Sequence, residues 1–444
     1  MLARRIIGGL AIGVAAVVAL GWAIARPSAI EPIAPPAADA FPADLVDRGR
    51  MLARVGDCNV CHTRPGGAPF AGERPLPTPF GTIYASNITP DVQTGIGTWS
   101  RIAFVRAMRQ GISRSGQFIY PAHPYDHFTL LTDDDLAAIY AYLMTRPAIA
   151  AKTPLAELRF PFNQRQLMAA WNLLFLRRGP YQPDPAQSAE WNRGAYLALG
   201  AGHCGACHTP RNSMGAEQKD HAFAGATAEG WYAPPLNGNS PTLVPWTAQS
   251  LKAYLSRGHE PQHGIAGGPM ADVAANLGNV PSADVEAIAG YIAWQMGAPS
   301  RGRETAARAR MVSIEQQSRE RRAAVSREQV SGMGEIIYAT ACAQCHESWT
   351  AEPPQNAGRA LALQSAVTAA EPSNLIYTLL EGIRAPGDAS HMLMPGFAGA
   401  LTNAQIVELA RYIRKNFSDQ PAWPDLEAQV AQARANALVQ ARND

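Results

Sequence analysis

Charge is scarce in this sequence, and neither sign dominates. Charged residues make up 17% of the 444, and the formal net charge is +2, so the composition gives no electrostatic reason to expect nucleic acid as a partner. A glycine-rich nucleotide loop is also absent, which argues against NAD or FAD binding by this chain. No set of side chains is suited to acid–base or nucleophilic chemistry on an organic substrate, so we do not expect the chain itself to oxidise one.

Cysteine is scarce too, and none is left over for a structural disulfide. All six cysteines form pairs with two residues between them, and a histidine follows each pair. The three sets are Cys58, Cys61 and His62; Cys204, Cys207 and His208; and Cys342, Cys345 and His346. Because the spacing is the same each time, we expect one chemistry to be repeated three times.

Three chemistries compete for such a set. A structural zinc site usually closes one tetrahedron from two Cys pairs, but these pairs lie far apart in separate repeats. A redox dithiol sits between strands and helices that alternate, and the sequence shows no such alternation. Two thiols one helical turn apart suit the two vinyl groups of one porphyrin, and the next histidine reaches its iron. We therefore predict three covalently bound haem c groups.

Helical patterns repeat around each Cys pair. Apolar residues form one stripe in the last helix of each repeat, in LAAIYAYL, VEAIAGYI and IVELARYI. A glycine precedes each pair and a tyrosine recurs in each last helix, so we predict that the first and last helices pack closely. The glycines are Gly49, Gly194 and Gly334, and the tyrosines are Tyr142, Tyr291 and Tyr412. The repeats predict an all-α fold with three similar domains at 42–150, 188–298 and 331–420.

The segments outside these domains are predicted from their composition. Residues 6–25 are an uncharged run that, as a helix, is long enough to cross a bilayer, and Arg4 and Arg5 precede it. We predict a retained N-terminal transmembrane helix at 1–26, and cleavage after Ala25 as a secretory signal stays open. Both alternatives export the rest of the chain. The other segments are a Pro/Ala tether at 27–41, a connector at 151–187, a charged, solvated helical linker at 299–330 and a tail at 421–444.

Each haem iron needs a sixth ligand if it transfers electrons, and we expect this ligand in the loop before the last helix of each domain. Met270 and Met394 occupy matching slots in the second and third domains. The first domain has YPAHPYDHF at this place, with His123 in the slot and His127 one turn on. We predict ligation by the two methionines and by one of these histidines, with His123 favoured. Methionine ligation raises haem potential relative to histidine, so the first haem is predicted to have the lowest potential.

With these residues in place, the chain resembles the three-haem cytochrome c subunits of membrane-bound periplasmic dehydrogenases. The resemblance extends from about Leu45 to Phe417 and rests on the three attachment sets and on FGTIYASNITPDVQTGIGTWS, EWNRGAYLALGAGHCGACHTPRN, GWYAPPLN and MPGF. It implies three tandem class I cytochrome c domains that pass electrons from a separate catalytic subunit to ubiquinone at the membrane. With the N-terminal helix as anchor, it also implies a location on the periplasmic side of the bacterial inner membrane. Relatives typically have methionine in YPAMPY where this sequence has His123, so the usual ligation of the first haem does not carry over.

The connector indicates the type of dehydrogenase. The stretch FPFNQRQLMAAWNLLFLRRGPYQPDPAQSAEWNRG resembles the version that accompanies molybdopterin and iron–sulfur aldehyde dehydrogenases. This resemblance implies a molybdopterin-containing catalytic subunit and a small iron–sulfur subunit as partners. Two alternatives stay open. One is the cytochrome subunit of a quinoprotein alcohol dehydrogenase or a flavin-dependent sugar or gluconate dehydrogenase, and the other is a stand-alone, membrane-anchored carrier that feeds an oxidase.

Overall fold

The computed structural model describes residues 27–326, 331–347, 360–385 and 388–443. About 49% of the structure is helix and about 8% is strand. The prediction of an all-α fold is therefore wrong in its strict form, because short antiparallel hairpins lie between the helices. The strands have two to seven residues, and most are too short for an alternating pattern to stand out in the sequence.

The membrane part of the prediction also needs correction. Over the described ranges, no helix combines the length and the apolar composition that a bilayer crossing requires. The longest of these helices, Arg301–Ser326, has enough residues but carries many arginines and glutamates. The predicted span at 1–26 lies outside the described residues. The predicted fold class with a transmembrane helix is therefore corrected, and so is the anchored inner-membrane localisation that depended on that helix.

The chain forms two compact units. Unit 1 contains residues 27–53 and Cys61–Gln182 of the described chain. Unit 2 contains Arg54–Val60 together with the residues from Pro183 onward. The second and third predicted domains therefore lie in one unit, which also holds the short stretch around Cys58.

Between Pro27 and Gln182, the described residues form six α-helices and a small sheet. The helices are α1 (Ala43–Val55), α2 (Cys58–Cys61), α3 (Arg101–Gln110), α4 (Tyr125–Phe128), α5 (Asp133–Met144) and α6 (Leu167–Phe175). Ser100 and Thr132 cap α3 and α5 by accepting backbone N–H bonds, which fixes where these helices begin. The antiparallel sheet consists of β1 (Pro75–Thr78), β2 (Gly81–Tyr84) and β3 (Glu157–Leu158), in that order.

The segments on either side of the first domain are bonded to unit 1. The connector contributes β3, which pairs with β2, and helix α6, in which Trp171 and Asn172 are buried. The tether is bonded through Ile30, whose N–H donates to the carbonyl of Arg114 at 2.8 Å. The Arg114 guanidinium donates in return to the Ile30 carbonyl at 3.1 Å. Neither segment is slack where it meets this unit.

The second predicted domain contains α7 (Ala189–Tyr196), α8 (Gly205–His208), α9 (Ala248–Arg257), α10 (Pro269–Leu277) and α11 (Ser282–Met296). A π-helical turn at Leu197–Ala201 continues α7 toward the Cys pair. Two hairpins complete it, one of β4 (Ala226–Ala228) and β5 (Trp231–Ala233), the other of β6 (His259–Glu260) and β7 (Gly264–Ile265).

The linker and the third predicted domain follow. Their helices are α12 (Arg301–Ser326), α13 (Met333–Ile337), α14 (Ala343–His346), α15 (Ser365–Thr368), α16 (Ser373–Glu381), α17 (Asn403–Phe417) and α18 (Leu426–Asn443). Strands β8 (Ile383–Ala385) and β9 (Asp388–Met394) form a hairpin. The linker helix α12 is not fully solvated, because Ile314 belongs to the hydrophobic core of this domain. Short 3-10 turns occur at Ala38–Ala40, Lys219–His221 and Leu361–Leu363, and a second π-helical turn spans Tyr338–Cys342.

Glycine lets the first and last helices of each predicted domain cross in contact. A Cβ added to Gly49 would clash with the carbonyl oxygen of Ala138, and one added to Gly194 would clash with that of Ala287. The third crossing pairs Gly334 with Glu408. The added Cβ would also lie 2.8 Å from the Cβ of Tyr142, 2.9 Å from that of Tyr291 and 3.0 Å from that of Tyr412. The close packing predicted from these glycines and tyrosines is confirmed.

Candidate functional site

The three Cys-x-x-Cys-His sets lie on single helical turns. Cys58 and Cys61 are the first and last residues of α2, and His62 follows it. Cys204 immediately precedes α8, which contains Cys207 and His208. Cys342 ends the π-helical turn before α14, which contains Cys345 and His346. None of the six cysteines, all of which lie in the described ranges, forms a disulfide. In the described part of the chain, no three Cys or His ligand atoms lie within 4.8 Å of one another, so none of these sets forms a compact metal cluster by itself. Two thiols on one turn match the donor set for covalent haem attachment.

Two of the attachment histidines make the same hydrogen bond. Nδ1 of His62 lies 2.6 Å from the carbonyl oxygen of Ser86, and Nδ1 of His208 lies 2.7 Å from that of Pro234. Burial lowers the pKa of both imidazoles, against the effect of the hydrogen bond. A neutral imidazole that donates from Nδ1 keeps its lone pair on Nε2, which is the atom that an iron needs.

A glycine donates a backbone hydrogen bond to each of these histidines. Gly72 donates its N–H to the carbonyl of His62 at 2.7 Å, and Gly225 donates to the carbonyl of His208 at 2.8 Å. Their φ angles of +81° and +86° lie in the left-handed region that favours glycine. A Cβ on Gly72 would lie 2.5 Å from the carbonyl carbon of Ser86, the group that bonds His62. The same backbone cradle therefore occurs twice, after the first and the second Cys pair.

Burial is the main influence on the acidity of three of these thiols. Burial, followed by the charges of Cys207 and Asp57, raises the pKa of Cys204 to about 12. Burial is also the largest cause that raises the pKa of Cys207 to about 11 and that of Cys342 to about 11. A redox dithiol depends on a lowered thiol pKa, so these raised values do not match that chemistry.

The loop with the two candidate histidines is held by the connector. Tyr125 lies between His123 and His127 and is fully buried, and its hydroxyl donates to Asn172 Oδ1 at 2.7 Å. The Asn172 amide donates in turn to the carbonyl of Gln110 at 3.1 Å. Sequence reasoning missed this support, because Asn172 stands in an otherwise apolar helix of a segment outside the predicted domains.

His123 and His127 differ in their surroundings. His127 is 7% exposed, and a nitrogen of its ring lies within 4.8 Å of a carboxylate oxygen of Asp126. His123 is half-buried, and its ring centroid lies 5.3 Å from that of Phe128. His127 is therefore the deeper of the two side chains, and His123 is the more open.

The two candidate methionines lie at the ends of elements. Met270 is the second residue of α10, after the left-handed Gly268 and the helix-starting Pro269. Met394 is the last residue of β9, pairs with Ile383 and packs against the core of the third domain. Both methionines are half-buried.

A buried carboxylate beside the third set was not predicted. Glu347 directly follows His346 and is 2% exposed. It accepts hydrogen bonds from the hydroxyl of Tyr338 at 2.8 Å, from Ser318 and from the guanidinium of Arg321. Ser318 and Arg321 belong to α12, the helix that composition alone describes as solvated. The linker thus stabilises the turn that ends at His346.

A second unpredicted contact joins the residues on either side of Cys58 to the rest of unit 2. The amide of Asn276, near the end of α10, donates to Asp57 Oδ1 at 2.6 Å and to Asn59 Oδ1 at 3.1 Å. His203, which precedes Cys204, places Nε2 3.3 Å from the carbonyl oxygen of Gly56. The residues just before two attachment cysteines therefore meet within one unit.

Comparison with known proteins agrees with this geometry. A family model described as cytochrome c oxidase, cbb3-type, subunit III matches residues 332–413. The fructose dehydrogenase cytochrome subunit of Gluconobacter japonicus is 33% identical over 405 residues, which cover 88% of this chain and 82% of that protein. The chain belongs to the family of dehydrogenase cytochrome c subunits. The predicted resemblance and the role of an electron-transfer subunit are confirmed.

Other relatives of this cytochrome c subunit serve different dehydrogenases. The gluconate 2-dehydrogenase cytochrome c subunit of Pantoea cypripedii is 33% identical over 412 residues, or 89% of this chain and 91% of that protein. A nicotinate dehydrogenase subunit of Pseudomonas putida is 43% identical over 430 residues, which cover 96% of this chain. The cytochrome c subunit spans about a third, 34%, of the length of that last relative.

Proposed function

We propose that the cytochrome c subunit carries three covalently bound haem c groups. The thiols that hold them are Cys58 and Cys61, Cys204 and Cys207, and Cys342 and Cys345, with His62, His208 and His346 as proximal ligands. The single observation that carries the proposal is the hydrogen bond from histidine Nδ1 to a backbone carbonyl, made at both His62 and His208. This bond orients each ring and leaves Nε2 for the iron.

The sixth ligands of our proposal are His123, Met270 and Met394. The partly open position of His123 and the deeper position of His127 support the choice of His123. When bound, each haem supplies one reversible one-electron couple. The proposed histidine and methionine ligands of this chain would set the potential of each couple.

We also propose a path for the electrons, which pass from a catalytic dehydrogenase subunit through this chain to ubiquinone. The connector motif supports a molybdopterin-containing catalytic subunit and a small iron–sulfur subunit as partners, with an aldehyde as substrate. Nicotinate is a second candidate substrate, because the nicotinate dehydrogenase subunit of Pseudomonas putida is 43% identical over 96% of the chain.

Mass spectrometry of the mature, denatured chain tests the attachment. We expect three additions of haem mass on the wild type and two on a variant in which both Cys204 and Cys207 are replaced by serine. Met214→Leu is a matched control for the same peptide region, because Met214 is exposed and outside the attachment set. A wild-type chain without added haem mass would overturn the proposal.

Purification of the intact complex tests the path. We expect a molybdopterin-containing subunit to copurify and the haem absorption bands to become reduced when substrate is added. An aldehyde series and nicotinate should be compared in parallel, followed by a soluble ubiquinone analogue that reoxidises the haems. Haems that quinol reduces but neither substrate reduces would point instead to a carrier that feeds an oxidase.

A further inference from the structure

The carbonyl that accepts the hydrogen bond from His208 follows strand β5, and a residue of the third predicted domain contacts this strand. Strand β5 ends at Ala233, and the next residue, Pro234, accepts the bond from His208 Nδ1. A contact that restrains β5 therefore also restrains the carbonyl that orients His208, the proposed proximal ligand of the second haem. The first domain offers a comparison. There the carbonyl of Ser86 accepts the bond from His62, and Asn87 is the next residue in the chain.

In the first domain this strand end is anchored inside its own unit. Asn87 is 2% exposed, and its amide donates to the carbonyl of Ile149 at 2.7 Å and to Thr94 Oγ1 at 3.0 Å. The connector strand β3 also pairs with β2 and covers the outer edge of that hairpin. The first support comes from within the domain, and the second comes from the connector that follows it in sequence.

The second domain has neither support within the described chain. The residue equivalent to Asn87 is Pro235, which has no amide group to donate, and among the described strands β5 pairs with β4 alone. The outer edge of β5 instead meets Asn374 of α16, in the third predicted domain. Its side-chain oxygen accepts from the N–H of Tyr232 at 2.8 Å, and its amide donates to the Tyr232 carbonyl at 2.8 Å. One asparagine side chain thus makes the pair of hydrogen bonds that a neighbouring strand would make.

The same strand also reaches the other side of the second haem site. Trp231 of β5 stacks on Tyr377 of α16, with ring centroids 5.2 Å apart and planes at 23°. The indole of Trp231 also lies close to Gly268, where an added Cβ would clash with the ring. Gly268 stands two residues before Met270 and has a φ of +53°, in the region that favours glycine. The third domain therefore contacts the strand that leads to the carbonyl holding His208 and, through Trp231, the turn that begins the helix of Met270.

We propose that Asn374 is a positioning residue for the second haem: by fixing β5, it holds both proposed axial ligands, His208 and Met270, from the neighbouring domain. The inference rests on the proposed function, because it takes these two residues as ligands. No atom, proton or electron is transferred by Asn374 itself. Its role is to keep the Pro234 carbonyl and the turn at Gly268 in the positions that orient His208 and Met270.

The test uses the purified full-length holoprotein and the variant Asn374→Ala. Imidazole added to the oxidised protein competes with methionine for ferric iron, and we expect it to bind the second haem about tenfold more tightly in the variant, in line with the usual effect of removing an outer-shell partner. The potential of the second haem should shift, whereas that of the third should stay. A residue that only stabilises its own domain would not change the second haem.

Asn436→Ala is the matched control. This asparagine also lies in the third domain and donates to the Tyr377 hydroxyl at 3.1 Å, but it makes no bond to Tyr232. We expect it to leave imidazole binding to the second haem unchanged. If Asn374→Ala does not fold, Asn374→Asp serves instead, because it still accepts from the Tyr232 N–H, loses the donor and should give an intermediate shift.

Two negative outcomes are distinguishable. If the Cys204–Cys207 peptide of the wild type carries no haem mass, or if Met270→Leu leaves the ligation spectrum unchanged, the proposed function fails and the inference falls with it. If haem and methionine ligation are present but both Asn374 variants bind imidazole as Asn436→Ala does, the inference alone is overturned.

Discussion

Tyr338 donates a hydrogen bond of 2.8 Å to the buried carboxylate of Glu347, the residue that directly follows His346. Arg321 and Ser318 of the linker helix donate to the same carboxylate. The segment between the second and third predicted domains is thus part of the third attachment site, because a buried carboxylate is stable only when donors surround it.

Replacing Glu347 by glutamine should lower the free energy of unfolding by about 3 kcal/mol, because it leaves the largely buried Arg321 without its counter-ion. Urea unfolding of the full chain, followed at the third haem, measures this loss. Glu408→Gln is the control, since Glu408 and its partner Arg411 are exposed and such pairs contribute less than about 1 kcal/mol. Equal losses in the two variants would contradict the role of the buried network.

Gly194→Ala should destabilise the second domain by about 1–3 kcal/mol, because the new methyl group would clash with the Ala287 carbonyl at the helix crossing. Thermal unfolding of the full chain measures the change. Gly290→Ala on α11 is the opposite case: an added Cβ meets nothing within 4 Å, and alanine favours helix by about 1 kcal/mol. The prediction requires the two glycines to respond with opposite signs.

Gly72→Ala should raise the reduction potential of the first haem. The added Cβ would displace the Ser86 carbonyl from His62, and a weaker bond at Nδ1 makes the imidazole a less basic ligand. Gly66→Ala is the control, because Gly66 also has a positive φ, +65°, but faces open space. Spectroelectrochemical titration of both variants separates the displacement from backbone strain, and the same potential in both would refute the explanation.

His123→Met should raise the potential of the first haem by on the order of 100 mV, within the ~0.8 V range that axial ligands span. His127→Met, made in parallel, should leave that potential near the wild-type value and mainly reduce stability, because His127 is 7% exposed. Redox titration of the three haems reads out both variants. A large potential shift in the His127 variant alone would transfer the ligand role to that histidine.

The stability of unit 2 should depend on pH through Asp57. Burial, reinforced by Asp272 and opposed by the hydrogen bond from Asn276, raises the pKa of Asp57 from 3.8 to about 7. Between about pH 4 and 7 the folded chain keeps a proton that the unfolded chain releases, so this contribution to stability is lost as the pH rises through that window. Asp57→Asn should therefore gain in melting temperature relative to wild type from pH 4 to 8.

Asn59→Ala is the control for this pH series. Asn59 contacts the same Asn276 amide and carries no titratable group, so its difference from wild type should stay constant across the series. A constant difference for Asp57→Asn as well would show that Asp57 does not titrate in this window.

The attachment sets and the helix crossings could be predicted from the sequence, because both repeat three times at fixed spacing. The strands escaped prediction because β5 has three residues, too few to show a period. The carbonyls of Ser86 and Pro234 carry no signal in the side-chain sequence at all. Asn374 is 142 positions from Tyr232, and only the folded chain shows that they meet.

The charged linker shows the limit of composition as a guide. Its arginines and glutamates indicate a solvated helix, yet Ile314 and Ser318 are buried. A helix that is polar on most faces can still pack through a narrow stripe of buried side chains, and the average composition of the helix does not reveal that stripe.

The stretch Arg54–Val60 belongs to unit 2, although the repeats place it in the first domain. Asp57 depends on Asn276, and the Gly56 carbonyl meets His203. A recombinant piece that ended at the connector would leave those side chains behind. The first predicted domain is therefore not an independent module, and an engineer who excises or swaps it must also rebuild the part of unit 2 that contacts Arg54–Val60.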